Sequence, residues 1–470
     1  MILLKNIGRW ASPDILDVPF KVIIYFTLIN SLEKYEFGLL NIAMMIFSYQ
    51  AISQLGVVDW LLYELPKKYS LNLRMDSLIA QSYTFVFINQ FILLALVIGV
   101  VVYTDEGSWF FQTACAAYIL HTIFYNIYLH KRLYLRFQHS FSRLFNVQLI
   151  LIVSKFILQF GTLKLVGIYG FLFVEIIIYW IPIFLFRSDT KFTLFDRHWF
   201  KNYTNLLSNG LPFFVVILMS TILGNLDKWY IIGNFGVEKF ATYSVGVFLV
   251  TGLMILPGKV LSIITQYMKE MYILDKNITS NITRNLSINN ILIFLLLCVI
   301  TVLHSLSEYI TIFIPKYADV LPLVDMFLLS GLLNYGVSLT SNILYLIEKR
   351  IFVAKVQIII VVVYASLLLL NMFLDLNIIY VIFSLCFVLA LQIAINLGLV
   401  IKFQKLDNKF EIIKFLILVL SSIAYYCIDE FIYDDISVMY YLLFANFVFF
   451  INFNQTWENF KYISTRQFSL

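Results

Sequence analysis

Long apolar runs divided by short loops of alternating charge constrain this chain more than any motif it carries. The runs fall at about 17–33, 37–63, 77–103, 108–129, 144–162, 165–186, 206–235 and 240–268. Six more follow at about 286–307, 318–347, 356–374, 378–401, 411–428 and 436–453. A helix needs about 20 apolar residues to cross the hydrocarbon core of a bilayer. Fourteen such helices would use nearly all of the 61% of the 470 residues that are hydrophobic. Only 13% of the residues are charged, against about a quarter in soluble domains. The chain therefore reads as an all-α polytopic membrane protein of about 14 transmembrane helices, with no room for a soluble domain.

Orientation follows from lysine and arginine, which accumulate in cytoplasmic loops. One set of loops and ends takes about 25 of the 33 basic residues. Among them are Lys67, Lys68 and Arg74, then Lys131, Arg132, Arg136 and Arg143, then Lys402, Lys405 and Lys409. The opposite set holds Lys34, Lys164, Lys239 and Lys316, and is otherwise acidic, with Glu33, Glu36, Asp105, Glu106, Asp429 and Glu430. The alternation survives every run and places both termini in the cytoplasm. A net charge of +5 built from such loops is no argument for nucleic acid. The partner it implies is the lipid bilayer.

The outer loops are mostly about three to eight residues long. Membrane-embedded polysaccharide polymerases and glycosyltransferases usually present a sizeable outer loop with catalytic carboxylates or arginines. That class is disfavoured, and no catalytic residue is assigned. No Gly-x-x-x-x-Gly-Lys-Ser/Thr loop occurs, so the chain does not drive itself with ATP, and no cofactor is expected. Cys115, Cys298, Cys386 and Cys427 sit in apolar runs without pairing or ligand spacing and read as packing residues. The five histidines, His121 among them, show no metal spacing, so no metal is expected. The N-terminus has a basic flank and no small-residue cleavage site.

A shift of 203 positions superimposes two short segments, Lys34–Asn41 and Val237–Ser244. In each, a turn with a charged pair leads through Phe37-Gly38 or Phe240-Ala241 into a helix entering from outside. Six runs precede position 206 and six follow to about 401, and an even number per half makes the halves parallel repeats. The expected domains are an N-terminal six-helix lobe at 1–205, a second at 206–402, and an additional helix pair with a cytoplasmic tail at 403–470.

The second junction reads Asp227-Lys228-x-x-Ile231-x-Gly233-x-x-Gly236, then Ala241-Thr242-Tyr243-Ser244-Val245. The first half carries Glu36-Phe37-Gly38-Leu39, Gln54-Leu55-Gly56-Val57 and Tyr63-Glu64-Leu65. Together these segments resemble the polysaccharide transporter family, the Wzx-type flippases of O-antigen and other lipid-linked oligosaccharides. That family belongs to the multidrug/oligosaccharidyl-lipid/polysaccharide exporter superfamily. The sequence departs from the family pattern at Ala241, where a glycine is expected, and at Tyr63, where an arginine often stands. The resemblance implies two six-helix lobes around a V-shaped cavity. It implies alternating-access flipping of undecaprenyl-pyrophosphate-linked oligosaccharide across a bacterial inner membrane, for lipopolysaccharide O-antigen or capsule. A polysaccharide polymerase and a chain-length regulator would then be partners. The alternatives are an ion-coupled multidrug exporter or a lipid II flippase of the same superfamily.

Charges inside apolar runs need a partner or a wet cavity, since each costs about 2.5–3.5 kcal/mol at mid-membrane on insertion scales. For an anionic substrate the candidate ligands are Lys155, Lys228, Asp227, Lys21 and Lys259. For a coupling H+ or Na+ they are Glu175, Asp59 and Asp325. Lys155 leads, because it lies mid-run with Glu175 at comparable depth on the next helix. The competing reading makes those two a structural pair. Lys228 beside Trp229 and Tyr230 also fits an interfacial belt. Lys21 and Lys259, near helix ends or proline, fit snorkelling, and Asp59 and Asp325 fit helix-packing hydrogen bonds.

Overall fold

The computed structural model describes residues 2–70, 76–103, 109–137, 140–186, 202–274, 312 and 314–404. The runs expected at 286–307, 411–428 and 436–453, and with them the additional helix pair, lie outside those residues. Within them the chain is helical throughout. The elements are α1 (Ile2–Ser31), α2 (Lys34–Ser48), α3 (Val57–Ser70), α4 (Asp76–Tyr103), α5 (Trp109–Phe137) and α6 (Phe141–Leu165). They continue as α7 (Ile168–Ile177), α8 (Trp180–Leu185), α9 (Tyr203–Leu274), α10 (Leu321–Leu346), α11 (Arg350–Phe373) and α12 (Ile378–Gln404). Among the described residues, six segments are long and apolar enough to cross a membrane.

Several apolar runs are not single helices. The second span stops at Ser48, passes through a 3-10 turn at Tyr49–Gln54 and restarts at Val57. At the break Leu55 and Gly56 both have positive φ (45° and 71°). Gly56 also faces the backbone of α9, where an added Cβ would collide with the Gly210 carbonyl and the Phe214 amide. Glycine is therefore required twice over, by conformation and by space. The sixth span is likewise divided, into α7 and α8. The seventh and eighth runs, labelled together α9, are two helices that meet at Gly236, whose backbone is non-helical (φ 83°, ψ 173°). The expected outer turn between them is a break at this one glycine.

The chain divides into two compact units. One takes Gly8–Asn225 with Ile232–Ala241, the other Met1–Ile7, Leu226–Ile231 and Thr242–Leu470. In the first, α5 packs against α2, α4, α6, α7 and α8. Helices α6 and α7 form a tight antiparallel hairpin through Val166 and Gly167. Amide side chains tie its helices together, with Gln54 Nε2 donating to Asn126 Oδ1 at 3.0 Å and Asn225 Nδ2 to Ser48 Oγ at 2.9 Å. In the second, α10 packs on α11 and α12 and is the most enclosed of the described spans, 72% of its apolar window being buried. Here Gln392 Nε2 donates to Gln357 Oε1 at 2.5 Å, and Asn396 Nδ2 to Thr340 Oγ1 at 3.1 Å. Lipid tails are as apolar as leucine, so such interhelical bonds and close packing replace the hydrophobic drive of soluble cores.

Candidate functional site

The short connection after α6 fixes the depth of the two leading candidates. Lys155 lies ten residues before the end of α6 and Glu175 seven after the start of α7. At 1.5 Å per residue that is about 15 Å and 11 Å from the turn. Antiparallel packing brings them side by side: Lys155 Nζ lies 3.0 Å from Glu175 Oε1 and 3.2 Å from Oε2.

Two further groups complete the site. Gln159, one turn after Lys155 and on the same face, donates from Nε2 to Glu175 Oε1 at 2.7 Å. His121 of α5 places Nδ1 3.1 Å from Glu175 Oε2 and 2.9 Å from the Glu175 carbonyl oxygen. Both neighbours are acceptors, so Nδ1 carries the hydrogen. The imidazole is held by Tyr179 and Phe47 edge-on at 5.0 and 5.6 Å and by Tyr125 stacked at 6.0 Å.

The four side chains differ in access. Those of Glu175 and His121 are 9% and 11% exposed, whereas that of Lys155 is 22% exposed. The carboxylate therefore has donors to spare, and the lysine is its most accessible partner. A phosphate entering on the lysine side could draw the ammonium away while His121 and Gln159 still hold Glu175. An isolated lysine in an apolar wall would have no such second state. Of the two sequence readings, the structure shows the resting pair of Lys155 with Glu175.

The remaining candidates have their own surroundings. Asp227 and Lys228 belong to the other unit. Asp227 is buried at 3% exposure and accepts the Tyr243 hydroxyl on Oδ2, while Lys228 is half-buried. Trp229 is 45% exposed, as an interfacial ring would be. Lys21 makes a 2.6 Å ion pair with Asp17 one turn earlier on α1, with its own side chain 47% exposed. Asp59 sits half-buried in the first turn of α3, where a negative charge suits the helix N-terminus. Asp325 is half-buried on α10. Lys259 lies on α9, with its side chain outside the described set. No group of three metal-ligating side chains gathers among the described residues.

His121 and Gln159 were not among the residues expected at the site. Gln159 is legible in retrospect, as the amide one turn from a lysine inside an apolar run. His121 is 34 residues before Lys155 in sequence, and only the packing of α5 against α7 reveals its role.

No protein-family model and no curated protein matches the sequence. Solved structures do share the fold. The eukaryotic MATE transporter AtDTX14 superimposes with a TM-score of 0.66 at 13% identity, over 89% of this chain and 98% of that one. The lipid II flippase MurJ, in an inward closed conformation, gives 0.61 at 14% identity over 96% and 99%. A MOP-superfamily transporter from Pyrococcus furiosus, whose binding pocket is described as having reverse polarity, gives 0.62 at 11% identity over 84% and 95%. The chain is a polytopic helical membrane protein. Its fold is that of the MATE and other MOP-superfamily transporters.

Proposed function

We propose that this protein is a flippase for an anionic, lipid-linked saccharide, a polyprenyl-pyrophosphate oligosaccharide used in surface polysaccharide synthesis. The observation that carries the reading is the Lys155–Glu175 pair, a mid-helix ammonium with a partly exposed face and a carboxylate that keeps two other donors. A pyrophosphate must be compensated when it leaves water, and an exchangeable lysine does this without leaving a bare carboxylate behind. Sharing a fold with a lipid II flippase over nearly the whole chain supports a lipid-borne cargo.

In this reading the protein sits in a bacterial inner membrane with both termini cytoplasmic, as the loop charges favour. A proton or sodium ion taking over from the lysine at Glu175 would reset the site. Such a flippase would hand its cargo to an external polymerase and its chain-length regulator. The test is transport of a fluorescent polyprenyl-pyrophosphate saccharide in proteoliposomes. Lys155→Ala should reduce flipping at least tenfold while the protein remains folded in the membrane. Undiminished flipping by that variant would remove the anion-site role. In cells, loss of the protein should strand complete lipid-linked units on the inner leaflet, whereas unpolymerised units reaching the outside would indicate a polymerase.

A further inference from the structure

One face of α11 is spent on packing, with Val353, Val356, Gln357, Ile360 and Tyr364 all buried. The opposite face is open. Phe352, Lys355, Ile359 and Val362 are exposed on it, the last two at 51% and 59%. Their spacings of three and four residues align them in one stripe along the helix. From Phe352 to Val362 the stripe rises ten residues, about 15 Å. That is half of the roughly 30 Å hydrocarbon core of a bilayer, the depth of one leaflet.

The stripe begins where three apolar segments have their ends, at Leu346, Arg350 and Phe403. The turn from α10 into α11 is set by Glu348 at φ 59° and by the Lys349 amide, which donates to the Leu344 carbonyl at 2.9 Å. From this turn Lys349 holds Nζ 4.7 Å above the Phe403 ring of α12. Phe403 meets Phe352 edge-on at 4.9 Å. Lys355 leans back toward the start of the helix and places Nζ 5.7 Å from Phe352. Two ammonium groups thus stand on one aromatic pair at the head of the stripe. For each of them the ring is the only partner among the described residues.

The two parts of this surface select one kind of partner. An exposed cation on a ring gains about 0.5–1 kcal/mol and keeps its three N–H donors for an anion. A soluble anion would meet the ammonium groups and gain nothing from the apolar stripe. A zwitterionic lipid would bring a second cation against Lys349 and Lys355. A lipid with net negative charge satisfies both parts, its phosphate at the lysines and an acyl chain along Ile359 and Val362. Basic side chains at the ends of membrane helices recognise such headgroups, and the exposed Lys402, next to Phe403, adds a third positive charge.

We propose that the start of α11, with the end of α12, is a binding surface for an anionic phospholipid of the surrounding bilayer. The surface uses neither Lys155 nor Glu175 and stands apart from the proposed transport. The test is native mass spectrometry of the full chain with phosphatidylglycerol and phosphatidylcholine of matched acyl chains at equal concentration. The wild type should retain phosphatidylglycerol at least fivefold over phosphatidylcholine. The double variant Lys349→Gln/Lys355→Gln should bring that ratio close to one. Lys164→Gln/Lys316→Gln removes the same charge from other loops and should keep the preference. Equal loss in the two double variants would reduce the effect to net charge and overturn the proposal, as would a wild type with no preference. A phosphatidylglycerol with a photoactivatable diazirine in its acyl chain tests the wild type directly, whatever the variants do to folding. Its adducts should map to residues 351–362, and their absence from that segment overturns the proposal. Phosphatidylglycerol held there by a chain that flips no saccharide would count against the proposed transport alone.

Discussion

Two buried carboxylates sit in this protein under opposite conditions. Glu175 takes hydrogen bonds or ion pairs from Lys155, Gln159 and His121, which reach it from α6 and α5. Asp227 is compensated electrostatically by Lys228, its neighbour in sequence, and accepts the Tyr243 hydroxyl on Oδ2, while its Oδ1 has no hydrogen-bond partner among the described residues. On a helix, adjacent residues point about 100° apart, whereas residues on facing helices can meet head to head. Equal depth on consecutive antiparallel helices is what gives Glu175 its head-to-head partner.

The largest effect is expected where the compensation is densest. Glu175→Ala leaves the partly enclosed Lys155 without its anion and frees a glutamine and a histidine. Breaking a buried pair in this way costs about 3–5 kcal/mol, and the purified variant should unfold at a clearly lower temperature. Lys155→Met on that background should restore part of the loss, because it removes the orphaned charge. A double variant as unstable as the sum of the two singles would mean that the pair is not coupled.

The sparser carboxylate should respond to a smaller change. Tyr243→Phe deletes one hydroxyl and leaves the ring, which is packed edge-on to Phe327 at 4.9 Å. Loss of a hydrogen bond to a buried carboxylate costs about 1–3 kcal/mol. Denaturation of Tyr243→Phe should fall in that range, below the cost of Glu175→Ala. A larger loss than Glu175→Ala would reverse the ranking of the two sites.

The same contrast explains what could be read from the sequence. Helix existence, the all-helical class and the Lys155–Glu175 pairing were legible because charge and length stand out in an apolar chain. The break at Tyr49–Gly56 was not, since Tyr-Gln-Ala-Ile-Ser-Gln-Leu-Gly, though more polar than its flanks, carries no charge and no proline to divide the run. Its cause lies in the approach of Gly210, about 150 residues later in sequence. His121 and Gln159 escaped for a related reason. Neutral polar side chains do not interrupt an apolar run, and only packing reveals which of them face a charge. The repeat at Lys34 and Val237 is mirrored in burial, with Phe37 and Phe240 both enclosed and Leu40 and Tyr243 likewise. Its glycine departure at Ala241 has a physical counterpart: a Cβ on Gly38 would fall 2.5 Å from Val237 Cγ1, while Ala241 carries one at 0% exposure.

The smallest effect belongs to Lys21, which shared the anion-site expectation with Lys155. Its partner Asp17 is one turn away on the same helix, and nearly half of its side chain is exposed. Such an i,i+4 pair contributes about 0.3–0.5 kcal/mol, far less than a pair enclosed between helices. Lys21→Ala should therefore leave thermal stability within a degree or two of wild type and should keep flipping within about twofold. A tenfold loss of flipping at unchanged stability would bring Lys21 into the substrate path. It would also break the proposed link between partners supplied by neighbouring helices, as at Glu175, and the substrate path.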